Sequence, residues 1–255
     1  MLPTLTVGPF AIPVAPMTIL ISLWVGLTLA ERNAPRYGVN ANHLYNLVFI
    51  ALVAGVVGAR LVYVVRYPGI FASSPTSALS TNPDLLDPWG GIAVGLIAAL
   101  IYGQRKKIAL WPLLDALTPG LALLWVAFGF SHLASGNAFG MPTNLPWGIE
   151  LWGAIRQPTQ VYEIFAALAI LGAVWPGSRI TTGQPSGGAF LIFSACTAGA
   201  RLFLEAFRGD SIILAGGFRS AQIIAWLIIA ISLWGLAKMH DRSLQPLKNT
   251  DEQIQ

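Results

Sequence analysis

Seven apolar runs separated by short polar segments restrict what this chain can fold into. They cover residues 17–31, 44–65, 90–103, 110–130, 162–175, 188–207 and 221–239. A bilayer core about 30 Å thick takes roughly 20 helical residues, so the longer runs suit spanning helices and the shorter ones lie near the lower limit. In hydrocarbon the backbone N–H and C=O groups have only each other, and a helix satisfies them within one segment. Composition points the same way: 55% of the 255 residues are hydrophobic and 10% charged, against about 25% charged in a soluble domain. Mean hydropathy is +0.65. The expected fold is an all-α integral membrane protein of about seven transmembrane helices. Residues 1–16 hold four prolines and cannot form a long helix. No Lys or Arg precedes residue 31, so the first run is expected to persist as a helix rather than act as a cleaved signal.

Seven spans place the termini on opposite sides. Nine lysines and arginines fall in one alternating set of connections and four in the other. The richer side is cytoplasmic by the positive-inside rule, which puts the N-terminus outside and the C-terminus in the cytoplasm. Residues 1–239 then form one membrane domain, and 240–255 a cytoplasmic polar tail. The largest polar insert, residues 132–160, becomes an external loop between the fourth and fifth helices. Its Trp147 and Trp152, set among Leu145, Ile149 and Leu151, predict a folded cap at the membrane interface. The net charge of +4 is scattered over run ends and forms no stripe, so no nucleic-acid partner is expected. One cysteine, Cys196, excludes an intrachain disulfide; it reads as a small core residue. No His/Cys/carboxylate spacing predicts a metal, and no nucleotide loop or nucleophile elbow predicts a cofactor or a serine enzyme.

Ionisable residues inside apolar runs are functional candidates. Arg60 lies in the second run; Arg201 and Glu205 share a face of the sixth at i, i+4, with Arg208 just beyond. They suit an internal salt bridge or an anion site. Three arginines against one or two carboxylates leave positive charge over, which favours an anion, since guanidinium forks match phosphate. Gln160, Tyr162 and Glu163 follow Pro158 at the start of the fifth helix, where capping and substrate binding both remain open. His43 and His132 stand alone, and Asp115 reads as an end-of-helix residue.

In these residues the chain resembles the bacterial prolipoprotein diacylglyceryl transferases. The likeness rests on Gly58-Ala59-Arg60 with Tyr63, on Asp115 with Pro119, and on the loop Gly136 to Gly148. It continues in Gln157-Pro158-Thr159-Gln160-Val161-Tyr162-Glu163 and in Arg201, Glu205 and Arg208, all in family order. The resemblance implies a seven-helix inner-membrane enzyme that moves a diacylglyceryl group from phosphatidylglycerol to the lipobox cysteine of a preprolipoprotein and releases glycerol phosphate. Its partners would be those two substrates and membrane lipids. It implies catalytic roles for Arg201, Glu205 and His132, and substrate binding by Arg60, Tyr63, Asn137, Gln160, Tyr162, Glu163 and Arg208. Family histidines are replaced by Trp89 and Gln157, a family arginine aligns with Gly129, and a family tyrosine with Thr197. His132 is then expected to supply the imidazole. The alternative is a catalytically lapsed paralogue that binds lipid or lipoprotein. A solute transporter would show an inverted repeat or paired broken helices, which the sequence lacks.

Overall fold

The computed structural model describes residues 4–8, 10–72, 76–77, 80, 82, 85–214 and 216–251. Pro3 and Pro9, and residues 252–255 of the tail, lie outside them. Long helices stand where the apolar runs predict them: α1 Val14–Asn33, α2 Ala41–Arg66, α4 Pro88–Arg105, α5 Leu110–Ser135, α6 Thr159–Ala173, α7 Gly188–Glu205 and α8 Ser220–Asp251, with a short α3 at Pro68–Ala72. Of these, α1, α2, α5, α7 and α8 are long and apolar enough to cross a membrane, while α6 is a shorter apolar helix. The polar tail continues α8 as helix as far as Asp251.

Side chains are distributed inside out. Trp24, Phe165, Phe203, Trp226 and Trp234 are exposed, whereas Asp115, Thr118, Gln160 and Glu205 are fully buried. This is the pattern of a multi-pass membrane protein, in which lipid solvates the apolar surface and helices must satisfy polar groups among themselves.

The chain divides into two compact units, residues 34–113 and residues 1–33 with 114–255. In the first, α2 and α4 pack through small residues. A Cβ at Gly91 would meet the Gly55 carbonyl at 2.9 Å, one at Gly95 the Ala51 carbonyl at 2.8 Å, and one at Gly90 the Val62 side chain at 2.6 Å. Without a hydrophobic drive between helices in lipid, such close backbone approach is what gains dispersion energy. Asn40 caps α2 through its side-chain oxygen. Asp87 caps α4, accepting from Gly90 N–H at 2.7 Å and from Arg66 at 2.9 Å. The Gly90 hydrogen bond and then the Arg66 guanidinium hold the Asp87 carboxyl below the usual carboxylate range. His43 is not alone: its Nδ1 lies 3.3 Å from the Tyr102 hydroxyl.

In the second unit the proline-rich N-terminus forms a hairpin, β1 Thr4–Val7 with β2 Phe10–Pro13, before α1 begins. Helices α1 and α5 meet at Gly26 and Gly120, where a Cβ on Gly120 would lie 2.5 Å from the Gly26 carbonyl. Asp115 is more than an end-of-helix residue. From α5 its carboxylate accepts the N–H groups of Gly187 (2.5 Å) and Phe190 (2.9 Å), satisfying orphan donors at the start of α7. Gly187 holds the N-cap position at φ +96° and offers no side chain of its own, so the cap comes from another helix. Ala122, Ile170, Val174 and Phe193 form a core joining α5, α6 and α7.

Candidate active site

The loop after α5 folds back into short extended pieces rather than running free. A hairpin of β3 Ile149–Leu151 and β4 Ala154–Arg156 turns at Trp152 and Gly153, both at positive φ (+56° and +73°), the signature of a type I′ turn. Residues 139–143 lie between this hairpin and the end of α7. Met141 N–H donates to the Phe207 carbonyl and Gly209 N–H to Phe139, both at 2.9 Å, while Gln157 N–H donates to Met141 at 3.0 Å and Thr143 N–H to Ile155 at 2.9 Å. Gly140 is needed here because a Cβ would collide with the Gln157 carbonyl. Arg156 adds a brace, donating to the Leu151 (3.0 Å) and Gly140 (3.3 Å) carbonyls with its guanidinium over the Phe139 ring. The cap is thereby fixed to the C-terminal end of α7, next to the charged residues.

Those residues come together. The last turns of α5 supply His132, whose Nδ1 lies 2.7 Å from Glu163 Oε2 in the first turns of α6. An ionised carboxylate only accepts, so Nδ1 carries a hydrogen, and in the neutral imidazole the lone pair is left on Nε2. Arg201 Nη1 lies 3.7 Å from Glu163 Oε1, and its Nη2 lies 3.1 Å from Glu205 Oε2. Arg208 stands 4.0 Å from each of those carboxylates, but its fork is engaged elsewhere. Nε and Nη2 donate to Asp210 Oδ1 and Oδ2 at 2.9 and 2.8 Å. Arg219 donates to the carbonyls of Glu205 and Arg208 and to Ser211 Oγ, closing the C-terminal end of α7.

This alters the expected charge balance. Within this unit Asp210 adds a third carboxylate to Glu163 and Glu205, and Arg219 joins Arg201 and Arg208, so these described arginines and carboxylates are equal in number. Asp210 and Arg219 were not singled out from sequence; the signal for Asp210 was an acid two residues beyond an arginine at a helix end.

Other expected residues fall into supporting positions. Gln160 is fully buried and donates to the Asn137 carbonyl at 2.9 Å, which fixes the loop at Asn137, whose side chain is exposed. Tyr162 accepts from Trp147 Nε1 at 2.8 Å. Both rings line an apolar groove of about 480 Å³ between α6 and α7 with Phe165, Phe203, Leu204 and Phe207. Arg60 and Tyr63 belong to the 34–113 unit. There Arg60 donates to the carbonyls of Leu85 (2.9 Å) and Ser77 (2.6 Å), and Tyr63 packs on Tyr67 and Phe71. Cys196 is exposed on α7 rather than packed in a core. Gly129 has a steric reason to lack a side chain, since a Cβ would lie 2.7 Å from Ile164 Cγ1 and 3.2 Å from its backbone nitrogen.

A carboxylate-bound imidazole and two arginines gathered at the end of α7, in a multi-pass membrane protein, form the candidate site. Comparison with known proteins specifies the class. The family model for prolipoprotein diacylglyceryl transferase matches residues 3–238. The chain is 28% identical to the phosphatidylglycerol–prolipoprotein diacylglyceryl transferase of Nostoc sp., over 92% of this chain and 90% of that one. It is also 28% identical to the protein of that name from Synechococcus elongatus, over 92% and 86%, and 26% identical to that from Bifidobacterium adolescentis, over 91% and 75%. The chain belongs to the prolipoprotein diacylglyceryl transferase family.

Proposed function

We propose that this protein transfers the diacylglyceryl group of phosphatidylglycerol to the lipobox cysteine of exported preprolipoproteins. The reading has it in the bacterial inner membrane, N-terminus outside and C-terminus in the cytoplasm. Residues 1–239 are then a single membrane domain, the 132–160 cap faces outward, and 240–255 form a cytoplasmic tail. Support comes from family membership and, above all, from the 2.7 Å contact that orients His132 on Glu163 beside Arg201 and Arg208.

In this mechanism His132 Nε2 takes the proton of the cysteine thiol, because the thiolate is the nucleophile. The sulfur forms a bond to the glyceryl carbon, the carbon–oxygen bond to phosphate breaks, and its electron pair leaves with glycerol phosphate. The phosphate passes from a monoanionic diester to a dianionic monoester. Proton transfer to His132 raises the local charge by one at the same moment, so the site gains positive charge as the leaving group gains negative charge. Arg201 and Arg208 stabilise that charge through fixed donors. Glu163 orients the imidazole and stabilises the imidazolium, and Glu205 holds Arg201. The groove of Tyr162, Phe165 and Phe203 takes acyl chain. Asn137, fixed by Gln160, contacts the head group. Arg60 and Tyr63 remain proposed lipid contacts of their own unit.

The test is transfer of labelled diacylglyceryl from phosphatidylglycerol to a synthetic lipobox peptide by the purified protein in lipid, with His132→Ala and Arg201→Ala alongside. Thioether product that is lost in both variants supports the proposal. No product from the unsubstituted protein despite measurable phosphatidylglycerol binding refutes it in favour of a lapsed, lipid-binding paralogue.

A further inference from the structure

Arg208 presents its side-on fork, Nε and Nη2, to Asp210 at 2.9 and 2.8 Å. That is the pair of donors with which an arginine grips two oxygens of a phosphate, so a carboxylate and a phosphate compete for the same geometry. The partners differ in how readily they can part. The Arg208 side chain is 12% exposed and Asp210 26%, so the guanidinium stays sequestered while the carboxylate stands nearer to water. Glu163 and Glu205, at 9% and 2%, have no such outlet. The connection is short and braced: Gly209 separates the two residues, its N–H donates to Phe139, and a Cβ on it would lie 2.9 Å from the Gly140 carbonyl. Arg219 fixes the Arg208 carbonyl at 3.2 Å. Asp210 can therefore rotate its side chain towards solvent while the backbone of Arg208 keeps its position.

We propose that Asp210 is an internal substitute for the phosphate, an anion that holds the Arg208 fork in its binding shape and is displaced when a phosphate monoester or diester arrives. The proposal rests on the phosphate role given to Arg208 above. Its consequence concerns product as much as substrate. A dianionic glycerol phosphate competes with Asp210 more strongly than a monoanionic diester, and the returning carboxylate helps to expel it. Asp210 thus sets how tightly the site holds anions without touching the reacting atoms; it is a positioning and specificity-determining residue.

The experiment measures glycerol phosphate binding by equilibrium dialysis to the full-length protein in lipid nanodiscs, together with KM and kcat for phosphatidylglycerol. It compares Asp210→Asn, Asp210→Glu and Arg208→Gln with the unsubstituted protein. Removing a competing, partly exposed carboxylate is expected to tighten glycerol phosphate binding about five-fold, the equivalent of ~1 kcal/mol. In Asp210→Asn, KM falls while kcat holds or falls as product leaves more slowly; Asp210→Glu keeps the charge and stays near the unsubstituted affinity. Weaker or unchanged binding in Asp210→Asn, with binding lost in Arg208→Gln, overturns the role of Asp210 alone. Undiminished binding in Arg208→Gln overturns the phosphate role of Arg208 and this proposal together.

Discussion

Glu163→Gln is the substitution that most directly tests the charge logic of the site. The amide is nearly isosteric, but it carries no charge and can turn its NH₂ towards His132 Nδ1, which would move the imidazole hydrogen to Nε2 and remove the base. Glu163 Oε2 lies 2.7 Å from Nδ1, with about 4 Å between the charge centres of a carboxylate and an imidazolium. At an effective dielectric near 20 their attraction is about 4 kcal/mol. His132 is 30% exposed and Glu163 9%, so water screens part of it, leaving about 2–3 kcal/mol, a fall of roughly 30- to 150-fold in kcat. Anion affinity should move the other way. Glu163 Oε1 is 3.7 Å from Arg201 and 4.0 Å from Arg208, and removing its charge frees both cations for phosphate. Single-turnover transfer to a lipobox peptide gives the rate, and dialysis of glycerol phosphate gives the affinity. A rate loss below ten-fold, or a loss of anion affinity together with the rate, would show that Glu163 only holds the helices together and would refute the assigned role.

Arg201→Ala is expected to abolish transfer, while Cys196→Ala, on an exposed face of α7, leaves it intact; loss of activity in the cysteine variant would overturn the external thiol as sole nucleophile. Asp115→Ala strands the N–H donors of Gly187 and Phe190 and is expected to destabilise the fold by about 2–4 kcal/mol. Thermal unfolding in detergent measures it, and a change under 1 kcal/mol would mean water replaces the cap. The Asp87 carboxyl is held below the usual carboxylate range when folded, so its contribution to stability is present above the unfolded value and disappears as pH falls through the folded one. Unfolding followed from pH 6 down to about pH 2 should show a steeper acid loss in the unsubstituted protein than in Asp87→Asn; parallel curves would sink the assignment.

The helices were legible because lipid imposes long apolar runs, and Arg201 and Glu205 were legible as a pair because helical periodicity fixes which residues share a face, with Arg208 close behind in sequence. Partnerships across the chain were not. Asp115 lies 72 positions before Gly187, so nothing local distinguishes a tertiary cap from a helix end. His132 and Glu163 are 31 apart, and only the packing of α5 on α6 joins them. Asp210 was not placed beside Arg208 because it lies past the end of α7, where side-chain direction follows the fold of the loop rather than the helical period. Cys196 was misplaced because a small apolar residue suits lipid as well as core.

The contact between Gly129 and Ile164 limits how such a site can change through successive substitutions. An arginine appearing at 129 on its own would press on the α6 backbone, which approaches to 3.2 Å at the Ile164 nitrogen. The residue just before Ile164 is Glu163, so the change that adds a cation shifts the carboxylate that aims His132. With an imidazole at 132, an arginine therefore cannot enter position 129 in one step without disturbing the Glu163–His132 contact. The order of mutations decides which neighbouring sequences a lineage can reach, and the two ways of supplying positive charge become alternatives rather than additions.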